Sequence, residues 1–224
     1  MYSKLEEARR IDILRRYAIL DTPPEPTFDR IAWLAATHFG TPIGTVTFID
    51  ETRQWFKAIH GATLRETCRS IAFCSHAIEQ DAVMVVPDAS ADSRFADNPL
   101  VTADPHIRFY AGAPLCTQDG LKLGTVSVID SVPHADLSPD QKRFLTELAR
   151  LVVEELELRL AAGDVAAEIE RRRRIEAELQ RSNDCFRLAM QHSPFCLFTQ
   201  DTGYRYTWAI NTPPPYTPDK LIGR

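Results

Sequence analysis

The 224-residue chain is 44% apolar and 25% charged, close to a globular protein that buries a real core, with room for one ordinary domain plus a helical appendage or for two small domains. Its formal charge of -5 provides no overall basic field to draw nucleic acid, and no apolar run approaches the roughly 18–20 residues of a bilayer span. MYSKLEEARRIDILRR is too charged for a signal peptide, so the expected compartment is the cytoplasm. There Cys68, Cys74, Cys116, Cys185 and Cys196 are expected as thiols, since their spacing forms neither a CxxC pair nor a disulfide framework.

Leu5, Ala8, Ile11, Leu14 and Ala18 recur at three or four residues, which predicts an amphipathic helix over 4–18, ended by the prolines of ILDTPPEPTFD. A second helix follows, with Phe28, Ile31, Ala32, Ala35 and Phe39 on one stripe. The period then changes: TPIGTVTFID and RQWFKAIHG read as an antiparallel hairpin turning at Glu51–Thr52. SIAFCSHAIEQ reads as a short helix or strand-to-helix corner with Ser75 as its cap, and AVMVVPDA as a strand stopped at Pro87. SADSRFADNPLVTADP is a loop; HIRFYAGAPLCT and LKLGTVSVID are strands joined through Gln118-Asp119-Gly120. From Ser138-Pro139 to about Met190 only Gly163 interrupts a long helix. This order predicts an α+β domain, helices gathered to one side of an antiparallel sheet and a ligand cavity beneath the crossing loop.

YAILDTPPEPTFDRI, FIDETRQWFKAIHG, RSIAFCSHAI, VVPDASADSRFADNPLV, IRFYAGAPL and LGTVSVID follow one another at distances that resemble a GAF domain, in particular the bacterial subgroup at the front of sensor kinases. The resemblance implies a sheet of six or nearly six antiparallel strands flanked by helices, and a homodimer held through the terminal helices. DCFRLAMQHSPFCLFTQDTGYRYTW, ending in LIGR, resembles the opening of a PAS domain of the kind that precedes a histidine kinase catalytic region. The expected organisation is an N-terminal helix (1–22), a GAF domain (23–160), a signalling coiled-coil linker (161–190) and the truncated start of a PAS domain (191–224) within a larger signalling protein. In the linker Leu148, Leu151, Leu158, Ala162, Val165 and Ile169 follow a heptad seam interrupted by Glu155, which slips at Arg171–Arg174 and resumes at Ile175, Leu179 and Phe186. The arginine run, flanked by glutamates at helical spacing, reads as a solvated coiled-coil face.

Cys74 and His76 admit four readings: nucleophile and base, part of a metal site with Cys68 and Cys116, a chromophore tether, or pocket wall. A catalytic pair needs strand or corner geometry and a third residue to orient the base, for which there is no local signature. Bilin-binding GAF domains place the histidine immediately after the cysteine, whereas Ser75 intervenes here. The cyclic-nucleotide subgroup begins with an Asn-Lys pair absent from this chain, and the glycine-rich cysteine segment of the methionine sulfoxide-reducing subgroup is not visible. The candidate ligand-pocket residues are Phe73, Cys74, His76, Asp88, Arg94, Arg108 and Tyr110; Arg94 and Arg108 either clamp an anion or pair with neighbouring carboxylates. No catalytic or metal residue is assigned, and no specific signal selects haem, bilin, flavin or metal. The expected role is the sensory input of a bacterial two-component signalling protein, binding a small ligand or holding a dimer, and relaying to a histidine kinase output absent from this chain. The alternatives are an input for a diguanylate cyclase and a small redox enzyme using Cys68, Cys74 and Cys116.

Overall fold

Ser3 opens helix α1 (Lys4–Arg16) with a capping box: its hydroxyl accepts from the Glu6 amide, and the Glu6 carboxylate accepts from its own. The computed structural model describes residues 3–191 and 195–223; Met1 and Tyr2 of the predicted first helix, residues 192–194 of the PAS-like segment and Arg224 lie outside the described residues. The buried stripe of α1 is Arg10, Ile11 and Leu14, continued by Tyr17, while Leu5, Ala8 and Ala18 of the predicted stripe are exposed. The rotation follows from Arg10, whose guanidinium donates to the Ile49 carbonyl (2.6 Å) and the Glu7 carboxylate. Arg10, with Arg69, holds the Glu7 carboxyl down at about 2 despite partial burial.

Helix α2 (Pro26–Phe39) starts on proline and stops at left-handed Gly40. Strands β1 (Ile43–Ile49) and β2 (Arg53–His60) form the predicted hairpin, followed by a short edge strand β3 (Glu66–Cys68) and a 3-10 turn over Arg69–Ile71. Helix α3 (Phe73–Ala77) has Ala72 rather than Ser75 at its cap position. Ser75 sits inside the helix because its hydroxyl donates back to the Arg69 carbonyl (2.9 Å). Strand β4 (Met84–Val86), helix α4 (Pro99–Thr102, capped by Asn98), and strands β5 (Phe109–Cys116) and β6 (Lys122–Asp130) lead to helix α5 (Pro139–Gln191). Ser138 and Gln141 cap α5 reciprocally.

The six strands pair antiparallel in the order β3-β2-β1-β6-β5-β4. Alternation along each strand separates two cores. Val46, Phe48, Ala111, Ala113, Val126 and Val128 pack against α1, α2 and the start of α5. The opposite face carries Ile49 and Tyr110 against α3, α4 and the crossing loop. Helices therefore cover both faces of the sheet, not one side, because the inward positions of β1, β5 and β6 alternate and neither face is left polar and wet. A Cβ at Gly44 would strike the Ala32 carbonyl oxygen, so a glycine is what lets α2 lie this close on β1.

The chain divides into two compact units, Met1–Ala162 and Gly163–Arg224. In the second, β7 (Leu197–Gln200) and β8 (Tyr206–Ile210) form a hairpin, with the Asp201 carboxylate accepting from the Gly203 and Arg205 amides across the turn. Helix α6 (Pro218–Leu221) follows. Among the described residues no helix is long and apolar enough to cross a membrane.

Candidate functional site

The first unit has a cavity of about 490 Å³, open to solvent on one side, on the α3 side of the sheet. Strand alternation, shifted by one residue in β2 between Phe56 and Ile59, supplies its floor: Ile43 from β1, Gln54, Phe56 and Ile59 from β2, Tyr110 from β5 and Ile129 from β6. Phe73 and Cys74 descend from α3, Leu100, Pro105 and Ile107 from the crossing loop, and Gly61–Leu64 with Asp104 form the rim. Phe73 stacks on Phe95 at 4.1 Å between ring centroids and tilts against Tyr110 at 5.3 Å.

Cys74 sits at the centre of a buried hydroxyl cluster. The Tyr110 hydroxyl donates to its sulfur at 3.3 Å and the Thr47 hydroxyl at 3.5 Å, while Ser127 lies at 4.0 Å. Thr47 also meets Thr125 (3.1 Å), and Thr45 meets Ser127 (2.7 Å). Burial, reinforced by the neighbouring Cys74, pushes the Tyr110 phenol well above its ordinary value, so it stays a neutral donor. A Cβ at Gly112 would fall on the Tyr110 hydroxyl, so that glycine is needed for the phenol to reach the sulfur. Cys74 is 2% exposed, and we expect it to resist a thiol reagent for hours while Cys68 and Cys116, both exposed, label within minutes. Peptide mapping after timed alkylation measures this; Cys74 labelling as fast as Cys68 would contradict the cluster.

Of the sequence-predicted pocket residues, Phe73, Cys74 and Tyr110 line the cavity, and His76, Asp88, Arg94 and Arg108 are not part of its lining. His76 turns its ring edge-on to Phe95 at 5.0 Å. Arg94 grips Asp92 bidentately (3.0 and 2.6 Å) and lies over the Phe95 ring. Arg108 bonds Asp88 (3.3 Å) and the Ser90 hydroxyl. Both arginines take neighbouring carboxylates because loop 88–98 folds its own aspartates onto them. Ser90, through its hydroxyl and amide, and Arg108 draw Asp88 below the usual carboxylate range.

The thiols do not converge. Cys68 lies on β3 and Cys116 on β5, four strand spacings apart in the sheet order, or about 19 Å. Among the described residues no three His, Cys, Asp or Glu side chains gather to hold a metal. The combination of Cys68, Cys74, His76 and Cys116 as ligands, and of the three cysteines as a redox set, therefore lacks the required geometry.

Three features escaped the sequence reading. Gln54 and Thr67, directly opposite each other on β2 and β3, both line the cavity, and the buried Gln54 Oε1 and Thr67 Oγ1 have no hydrogen-bond partner. Gln54 shares the inward phase of Phe56, a polar residue on an apolar face, which was a legible signal. The third is Lys57. Pairing slips so that Val46 faces Ala58 and Thr47 faces Phe56, which leaves Lys57 on a bulge and turns it to the helix side. There its buried ammonium donates to Thr22 Oγ1 (2.7 Å), the Pro23 carbonyl (2.7 Å) and Glu25 Oε1 (2.6 Å), and Glu25 Oε1 also takes Arg159 of α5 (2.7 Å). Partial burial pushes the Glu25 carboxyl up, but the bonds from Lys57 and Arg159 outweigh it and hold it below its ordinary value. The DTPPE corner thus joins β2 to α5.

Residues 23–156 match the family profile of the GAF domain. A cyclic di-GMP phosphodiesterase of Pseudomonas aeruginosa is 40% identical over 148 residues, 66% of this chain and 25% of that protein, so the chain spans about a quarter of the curated relative it matches. Among solved structures, the GAF domain of an Acinetobacter phosphoenolpyruvate-protein phosphotransferase superposes with a TM-score of 0.52 at 18% identity, covering 71% of this chain and 97% of that one. The blue-light absorbing form of the Thermosynechococcus elongatus PixJ GAF domain gives 0.53 at 14% identity, covering 76% and 98%. At these identities the structural likeness concerns the fold alone.

Proposed function

This chain belongs to the GAF domain family, and we propose that it is the sensory input region of a bacterial multidomain signalling protein, binding a small molecule in the β2–α3 cavity and relaying the event through α5. One observation carries this reading. Strand β2 turns Gln54, Phe56 and Ile59 to the cavity and Lys57 to the opposite face, where Glu25 ties it to Arg159 on α5. A ligand that shifts β2 therefore pulls on the helix through a continuous set of charge-assisted bonds. Its effect equals its differential affinity for the two positions of that helix. The terminal helices would hold two copies together, so the relay would act on a helix pair.

The output we place first is a histidine kinase, on the resemblance of residues 184–224 to the opening of a PAS domain that precedes such kinases. The cyclic di-GMP phosphodiesterase relative supports a second reading, an output in cyclic di-GMP turnover, since input domains are shared among outputs. In both, this chain supplies recognition and relay, and the chemistry lies in the output.

The test is native mass spectrometry of the full chain after incubation with a bacterial small-molecule extract, then hydrogen exchange on the loaded and stripped protein. We expect one retained small molecule per chain and a several-fold change in exchange within residues 145–161. Glu25→Gln should keep the bound mass and lose that change. Retention with unchanged α5 exchange in the wild-type chain would remove the relay.

A further inference from the structure

The cavity lining is mostly uncharged. Among the described residues no lysine, arginine or histidine lines it, and the one carboxylate in its lining, Asp104, stands at the rim. Arg94 and Arg108, the cations of the crossing loop, are already engaged by Asp92 and Asp88. An anion entering this space would leave water without a counter-charge, at a desolvation cost its apolar contacts do not offset.

Two of the polar side chains that line the cavity, Gln54 and Thr67, lack hydrogen-bond partners. Gln54 is 5% exposed, and its Oε1 is buried without a hydrogen bond, as is the Oγ1 of Thr67 across the strand pair. An amide oxygen only accepts, so what it lacks is a donor. Such orphaned oxygens in an otherwise satisfied interior mark a place where a ligand or an ordered water completes the structure. Phe56, Phe73 and Tyr110 supply aromatic surface beside them.

We propose that the cavity takes an uncharged, largely apolar molecule that donates an N–H or O–H to Gln54 Oε1, and that it rejects phosphates, carboxylates and sulfonates. This rests on the cavity being the ligand site, and it names the chemistry that site selects. Cyclic nucleotides and propionate-bearing bilins fall outside that class by charge.

Three related dyes test it on the full chain. N-phenyl-1-naphthylamine is neutral with one N–H; its N-methyl derivative lacks the donor; 1-anilinonaphthalene-8-sulfonate keeps the donor and adds an anion. Fluorescence titration should show one site per chain for the neutral amine and at least about tenfold weaker binding of the sulfonate. Gln54→Met should weaken the amine about tenfold and leave the N-methyl compound unchanged. Equal or tighter sulfonate binding that is lost in the cavity-filling variants Leu100→Trp and Ile129→Trp keeps the cavity as the site and overturns its selectivity. An amine affinity unaffected by Gln54→Met overturns the donor assignment, water then being what completes Gln54. Dye binding that survives both filling variants, or no dye binding at all, removes the cavity reading and this inference with it.

Discussion

Replacing Glu25 with alanine will destabilise the first unit by about 3 kcal/mol, the low end for breaking a buried ion pair by removal of one partner. The Lys57 side chain is 0% exposed and Glu25 33%, so the variant strands a buried ammonium on two neutral oxygens, those of Thr22 and Pro23. Arg159 loses its carboxylate at the same time but is partly exposed and can hydrate. Lys57→Met should cost less, about 1 kcal/mol, because it removes the buried charge and leaves Glu25 paired with Arg159 and reachable by water. The double variant should be more stable than Glu25→Ala alone. Urea midpoints followed by tryptophan fluorescence give the three values. A larger loss for Lys57→Met than for Glu25→Ala would mean that the ammonium is not desolvated as described.

Charged substitution of the exposed column on α5 is expected to abolish self-association. Leu151, Leu158, Val165, Leu179 and Phe186 fall at seven-residue intervals with Arg172 in the intervening slot, and all five apolar members are exposed. A strict seven-residue repeat suits a second copy of the same helix, since each residue then meets its own counterpart along a supercoil. Leu148 does not belong to this column; it is buried with Leu145, Val152 and Leu156 in the core of the first unit. Companion residues change flank, from Ile169 four positions after Val165 to Ile175 four before Leu179, and Arg172 is drawn to Glu168 (2.8 Å) where they change. Leu158→Glu with Val165→Glu would bury facing like charges, and we expect the dimer dissociation constant to rise at least about a hundredfold. Light scattering at micromolar concentration should read a dimer for the parent chain and a monomer for the variant. A monomeric parent chain would end the helix-pair account.

Much of this fold was legible residue by residue. The β1–β2 hairpin, the Asp119-Gly120 turn, the proline that stops β4 and the Ser138 start of α5 are local patterns, set by backbone preferences and by alternation within a few residues. Strand β3 was missed because three residues, Glu66, Thr67 and Cys68, are too few for a period and earn their strand only by pairing with β2. The buried stripe of the first helix is displaced from the apolar one, since an arginine does not announce that a carbonyl 39 residues later will bury it.

The site divides the same way. Of the seven candidate pocket residues, Phe73, Cys74 and Tyr110 line the cavity, and the six spaced sequence blocks resemble the GAF family that residues 23–156 match. Tertiary structure alone assigned the rest. The partners of Cys74 come from β1, β5 and β6, 27 to 53 residues away. Between the two readings of the arginines, the fold selects the pairing with Asp92 and Asp88. Lys57 reaches Glu25, which also holds Arg159, through a one-residue slip in strand pairing that β2 by itself does not contain. Period and turn chemistry are properties of neighbours along the chain, whereas desolvation, charge pairing and register belong to groups that only folding brings together.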